Sequence, residues 1–328
     1  MGQYKGIMGG IDTMVASRFT PWHYSYNQDR VKLTDLEIRS GRQGLVMAGC
    51  DWSVLKLSLG EFMPGYENAD EHSVLIRNDR PLVLGKAGKD YTVIPNDAVA
   101  DLSDAVIEAV EGACIESMGA LFDGKVVWSL VRLPEGKVFG TDGAERHERY
   151  VLISTTHNGQ GSLTVRHTDV RVECMNTISM AWNGSEAEVS IRHTTNALDY
   201  VDEARRALTT IGKNRDAMDA EIQRLLDMPL DSTDFAVDFL PTIIGERPKD
   251  EGRGQTMYDA KFDSIIAAYE ADHNEAIVDT AWGAVNAVNE HEVWAIKPRG
   301  RELWEAQFAR VLSGNFDMTR QALRLLSA

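Results

Sequence analysis

Cysteine is scarce in this 328-residue chain: Cys50, Cys114 and Cys174 stand far apart, without CxxC spacing. That excludes a disulfide framework and a zinc knuckle, and fits reduced thiols in a cytoplasm. Proline is also sparse, at 9 residues, and no low-complexity tract occurs, which removes disordered and fibrous classes. No stretch approaches about 18 consecutive apolar residues, so no bilayer-spanning helix is expected. The first residues, MGQYKGIMGGIDTM, hold one Lys and no apolar run, and Gly6 stands where a myristoylation signal requires Ser or Thr. A cytoplasmic location is expected, the host cytoplasm if the gene is carried by a phage.

Basic residues are outnumbered. Fifty Asp and Glu against 34 Lys and Arg give a formal charge of −16. The field of the whole molecule repels polyanions, so any nucleic-acid site must be a local patch. Basic to acidic counts are 11 to 12 over residues 1–100, 8 to 15 over 101–200 and 15 to 23 over 201–328. No run of five like charges marks a basic arm or an acidic tail.

What is present is enough apolar material for a core, 43% of the residues. Thr34 with Glu37 resembles a capping box for a helix over 34–48. Residues 74–94 read as short strands joined by tight turns. Asn96 is placed to cap a helix over 97–110, where Val99, Leu102, Val106 and Val110 recur at helical spacing. The runs VVWSLVRL (126–133), RYVLIST (149–155) and SLTVRHTDVRVE (162–173) read as strands. The last two are joined through Asn158–Gly159, the residue types of a tight hairpin. The apolar phase shifts from Leu163 and Val165 to Val170 and Val172, which suggests a bulge near 167–169. Asn176 and Thr177 are expected to cap a following helix. From about 195 the pattern turns helical, with a long amphipathic helix over 204–225 and further helices to the C-terminus. Strands first and helices after predict an α+β fold: a central antiparallel sheet, a long helix packed on it and a helical C-terminal region. The expected division is 1–73, an N-terminal extension with a short helix; 74–200, a β-rich core; and 201–328, the helical region.

Gly85–Lys89 lacks Walker-A spacing and no GxGxxG follows a strand, so neither nucleotide hydrolysis nor dinucleotide binding is supported. Glu71–His72, Asp272–His273–Glu275 and Glu290–His291–Glu292 offer metal-ligand chemistry without a diagnostic spacing. With 50 acidic residues, such neighbours of His arise by chance. Cys174, Asn176 and His193 can be imagined as a thiol nucleophile and its base, yet a buried Cys is more often a small hydrophobe. No cofactor or metal is expected. Arg166, His167, Arg171, Arg192 and His193 form a basic strip on or beside the hairpin, flanked by Tyr150 and Trp182, in the third of the chain with the fewest basic residues. Such a strip can follow a phosphate backbone and stack bases, although an exposed strand face normally carries charge. A second basic cluster, Lys297, Arg299 and Arg301, lies between Trp294 and Trp304.

Several segments resemble an uncharacterised family of phage and plasmid-like proteins of mobile genetic elements: YTVIPN (91–96), GKVVWSLVRLP (124–134), RVECMNTISMAW (171–182), RHTTNALDYVDEARRAL (192–208) and TAWGAVNAVNEH (280–291). PWH (21–23) also belongs to the resemblance, but Tyr24, Ser25 and Tyr26 follow where that family has a Gly-Leu-Gly run. The resemblance implies a mobile-element context and no established reaction. At the level of fold order, a hairpin-rich sheet followed by a long helix is similar to the single-strand-annealing recombinases of phages. The expectation is therefore a non-enzymatic protein that binds or anneals single-stranded DNA in replication or recombination, self-associating through the 204–225 stripe. The alternatives are a metal-dependent nuclease or other DNA-processing enzyme, and a host-directed protein-binding factor.

Overall fold

The computed structural model describes residues 14–17, 31–34, 36–134, 136–140, 145–171, 177–178, 189–207, 215–295 and 316–327. The fold is α+β, with a large, mainly antiparallel sheet and helices at the C-terminal end. Strands β1 (Met14–Ala16) and β2 (Val31–Leu33) pair in parallel at one side of this sheet. The first helix, α1, spans Gly41–Ala48, not 34–48. Its cap is Ser40, whose side chain accepts from the Gln43 N–H, and Gly49 ends it in the left-handed region at φ 66°. Residues before it are held extended because Ile38 is fully buried and bridges Ile115. A smaller sheet, β3-β4-β5, is formed by β3 (Val54–Ser58), β4 (His72–Arg77) and β5 (Val83–Gly88), with the short helix α2 (Leu59–Phe62) between β3 and β4.

Helix α3 (Asn96–Ala109) lies on the large sheet, against strands β7 and β9 described below, and it runs where Val99, Leu102 and Val106 predict. It packs backbone to backbone on α1: a Cβ at Gly41 would stand 2.2 Å from the Ala100 carbonyl oxygen. Strand β6 (Cys114–Leu121) follows, and sequence reading misses it. All eight of its residues are buried, so no polar alternation marks it. Its pairing with β7 (Val126–Arg132) shifts register between Ile115 and Ser117, which leaves Glu116 as the extra residue of a bulge. Strands β8 (Lys137–Phe139), β9 (Glu145–Thr156), β10 (Ser162–Arg171), β11 (Thr177–Ile178) and β12 (Val189–Arg192) complete the sheet. Its order is β11-β10-β9-β7-β6-β1-β2, with β12 also on β10 and β8 also on β9.

The β9–β10 hairpin is present, and its turn is longer than the two residues Asn158–Gly159. The strands are joined through residues 157–161, and Gly159 and Gly161 supply φ of 80° and 91°. The expected bulge near 167–169 is absent from the β9–β10 ladder, which is continuous from Thr164 to Arg171. The phase shift has another origin. Leu163 and Val165 face the core under α3, while Thr168 on the opposite face is buried beside its partner Tyr150. Different faces of one regular strand are covered at its two ends. Thr177 belongs to β11, paired with Val170, while Asn176 and the residues where the expected helix would follow lie outside the described ones.

The expected 204–225 helix is met as α4 (Ala197–Ala207) and α5 (Arg215–Asp227), and the residues between them lie outside the described ones. Then come α6 (Ser232–Asp234), a π turn (Phe235–Phe239) and α7 (Leu240–Ile244) in one run, α8 (Arg253–Tyr269), α9 (Ala281–Glu290) continued by a π turn (His291–Ala295), and α10 (Asp317–Leu326). Among the described residues, apolar side chains form three clusters. One lies between the sheet and α1, α3 and α4; one lies among the C-terminal helices and includes Trp282; the third, with Trp128, Tyr150 and Leu152, covers the other face of the sheet.

Candidate functional site

Strand pairing decides which predicted residues share a face. Arg192 opposes Ser162 and Ser190 opposes Thr164, while Leu163, Val165 and Ile191 between them are buried in the core under α3. Ser162, Thr164 and Arg166 of β10 therefore share the outer face with Ser190 and Arg192 of β12. Arg192 is exposed and Arg166 half-buried. Along the strand they are roughly four residues, or about 13 Å, apart. Beside them a groove of about 480 Å³ opens between β12 and α4, lined by Ser190, Arg192, Thr194, Tyr200 and Glu203 among others. Tyr200 is 49% exposed. A guanidinium, hydroxyls and a phenol ring can bind a phosphate with an attached flat ring, and Glu203 restricts where a negative group can sit.

His193 departs from this strip. It is buried, its ring stacks on Tyr91 at 4.6 Å and 4° between planes, and its Nδ1 donates to the Thr92 carbonyl at 3.0 Å. Burial lowers its pKa and keeps it neutral. Tyr150, expected to flank the strip, is fully buried in the third apolar cluster and offers no ring for stacking. His167 lies half-buried on the face opposite to Arg166. Arg171 pairs with His147 at the far end of β10, and its side chain lies outside the described residues. Trp182, Lys297, Arg299, Arg301 and Trp304 lie outside them as well.

Behind the strip is a buried polar hub that sequence reasoning misses. Asn96 makes no capping bond. Its Nδ2 donates to the carbonyls of Cys50 (2.9 Å) and Trp52 (3.0 Å), which leaves its Oδ1 to accept from His157 Nε2 at 2.7 Å. These bonds fix the Nε2–H tautomer, and His157 Nδ1 has no hydrogen-bond partner among the described residues. Trp52 meets the His157 ring edge-on at 5.7 Å, and the Arg77 guanidinium lies 3.9 Å over the Trp52 ring. Burial, with the positive charge of Arg77 nearby, pushes the His157 pKa down to about 3.

Residues 83–302 match the model of a family described as a domain of unknown function, DUF932. The chain belongs to the DUF932 family. No curated protein and no solved structure matches it. The DUF932 match begins with β5 and includes α3, the large sheet from β6 onward, and the helices through α9.

Within the DUF932 region the sheet is tied to the C-terminal helices by buried charge. Glu145 Oε1 accepts from His147 Nε2 (2.7 Å) and from Trp282 Nε1 (2.9 Å), and the His147 ring stacks on Trp282 at 5.6 Å. Arg149 bonds Asp219 of α5, which also pairs with Lys137 at 3.5 Å. Each acidic-His neighbourhood has at least one member with a structural partner. Glu71 pairs with Lys89, and His273 of the second meets Glu290 of the third at 2.9 Å. His291 bonds Ser264, and Glu292 accepts from the Met318 and Thr319 N–H groups, capping α10. Among the described residues no three His, Cys, Asp or Glu side chains converge on one point. Cys50 and Cys114 are buried free thiols; Cys174 and Asn176 lie outside the described residues, so the thiol-nucleophile arrangement does too. None of the described helices is long and apolar enough to cross a membrane.

Proposed function

We propose that this DUF932 protein is a non-enzymatic DNA-metabolism factor of a phage or plasmid-like element. In this reading it binds or anneals single-stranded DNA on the outer face of β10 and β12. The observation that carries the proposal is the common face of Arg166 and Arg192 beside the groove that holds Tyr200. On a chain of charge −16, phosphates need such a local strip, and an exposed ring beside it suits an unpaired base more than a duplex. The mobile-element context rests on the sequence resemblance. Self-association in the host cytoplasm belongs to the same reading, since repeated strips give a polyanion several points of attachment.

Fluorescence anisotropy of a labelled 20-nucleotide oligo-dT, at two salt concentrations, tests it on wild type, Arg166→Ala/Arg192→Ala and Tyr200→Ala. Wild type should bind more weakly as salt rises. The double Arg variant should bind more weakly with a shallower salt slope, by about 0.7 for each phosphate that is no longer neutralised. Tyr200→Ala should lose affinity with the slope unchanged, on the order of 1–3 kcal/mol. Absence of wild-type binding at low salt, or equal binding by the double variant, overturns the proposal. Mg²⁺-dependent cleavage of the oligonucleotide that is lost in His273→Ala would replace it with a nuclease.

A further inference from the structure

The outward face of the β3-β4-β5 sheet is largely aliphatic and also carries the exposed Lys86, opposite Val74. Strand pairing sets Leu55 opposite Ile76, Leu57 opposite Val74, and Ile76 opposite Val83, so these five side chains share one face. Leu75, Leu84 and Ala87 face the other way and are buried in the core under α3. Leu55 is 44% and Val83 59% exposed, and the other three are half-buried. The far edge of β3 has no pairing strand among the described residues. At the Leu57–Val74 end, the connection from Leu59 to Glu71 adds Phe62, Met63 and Tyr66, of which Phe62 is 64% and Tyr66 69% exposed. This connection carries Glu61, Glu67, Asp70 and Glu71 and no Lys or Arg. Of these five aliphatic residues, Val83 alone falls within the family match.

Contiguous apolar surface bordered by polar residues marks a docking site. We infer that this face is a docking surface for a cationic amphipathic segment of a partner protein, one that sets a row of aliphatic side chains on Leu55, Leu57, Val74, Ile76 and Val83 and places Lys or Arg against Glu61, Glu67 and Asp70. Charge decides the occupant. Nucleic acid is repelled by Glu61, Glu67 and Asp70, Glu71 being already paired with Lys89, and a second copy approaches with a formal charge of −16. The surface lies on a different sheet from the Arg166–Arg192 face, so it does not depend on the DNA-binding reading.

The probe is a fluorescein-labelled 16-residue peptide of Leu and Lys with Leu at three- and four-residue spacing, titrated with the full chain. Wild type should bind it, and the Glu-for-Lys version of the peptide should not bind. Leu55→Ser/Val83→Ser changes two exposed side chains and should weaken binding about tenfold, with an unchanged circular dichroism spectrum. Glu61→Gln/Glu67→Gln/Asp70→Asn should weaken it at low salt and flatten its salt dependence. Glu246→Gln/Asp250→Asn/Glu251→Gln, an equal neutralisation in an exposed loop elsewhere, should leave it unchanged. No binding by wild type, equal binding by the Ser variant, or equal loss in the two neutralised variants overturns the inference. A wild-type dimer that becomes a monomer in Leu55→Ser/Val83→Ser overturns it too, by giving the face to a second copy.

Discussion

Acid should weaken the fold through His157 before most carboxylates titrate. Its imidazole is fully buried, its proton is held on Nε2 by Asn96, and burial with the nearby Arg77 charge puts its pKa at about 3. In the unfolded chain the ring takes a proton near pH 6.5. Between these values the unfolded state binds more protons than the folded state, so stability rises with pH. The full contribution is present above pH 6.5 and is lost as pH falls toward 3. The slope approaches about 1.4 kcal/mol per pH unit, so the loss between pH 6.5 and 5 is on the order of 1–2 kcal/mol. Burial lowers the His193 pKa as well, which adds to the loss in the same direction. Urea unfolding of wild type and His157→Gln at pH 8, 6.5, 5.5 and 5 isolates the His157 contribution. The Gln amide can still donate to Asn96 and does not titrate. The variant should be less stable than wild type at pH 8 and should lose less stability by pH 5, so the difference narrows by about 1–2 kcal/mol. Parallel stability curves for the two proteins would refute the reasoning.

Gly159→Val should cost on the order of 3 kcal/mol, because φ is 80° there and a Cβ would stand 1.8 Å from the Lys86 carbonyl oxygen. A urea midpoint unchanged from wild type would mean that the hairpin tip does not rest on β5. Asp219→Asn should cost about 3 kcal/mol in the same assay, since it leaves the buried Arg149 without its full countercharge. A change below about 0.5 kcal/mol would assign that pair to the ordinary surface class.

Local pattern carried the reading as far as local physics reaches. The helical spacing of Val99, Leu102 and Val106 locates α3, and the β-branched run from Val126 locates β7. What pattern misses depends on partners distant in sequence. Strand β6 has no alternation because both of its faces are covered, and α1 starts late because Ile38 is claimed by Ile115. Asn96 has the residue type of a cap, yet carbonyls 44 and 46 residues away take its side chain. The strip was legible in part: Arg166 and Arg192 follow from strand parity, whereas burial of His193 depends on Tyr91 and Thr92, about a hundred residues earlier. Trp282 finds Glu145 across 137 residues, a separation at which no sequence period exists.

Strand β9 meets different company along its length. Glu145, His147 and Arg149 meet the C-terminal helices, while Val151 and Ile153 lie in the core under α3. A substitution near its middle is therefore judged by two neighbourhoods at once. Change accepted in the helices must keep the lower half of the strand in place, and that half is covalently continuous with the half that seats α3. Among DUF932 sequences this predicts correlated drift between positions on α3 and positions on α5 and α9 that never touch, transmitted through one strand that neither group can move alone.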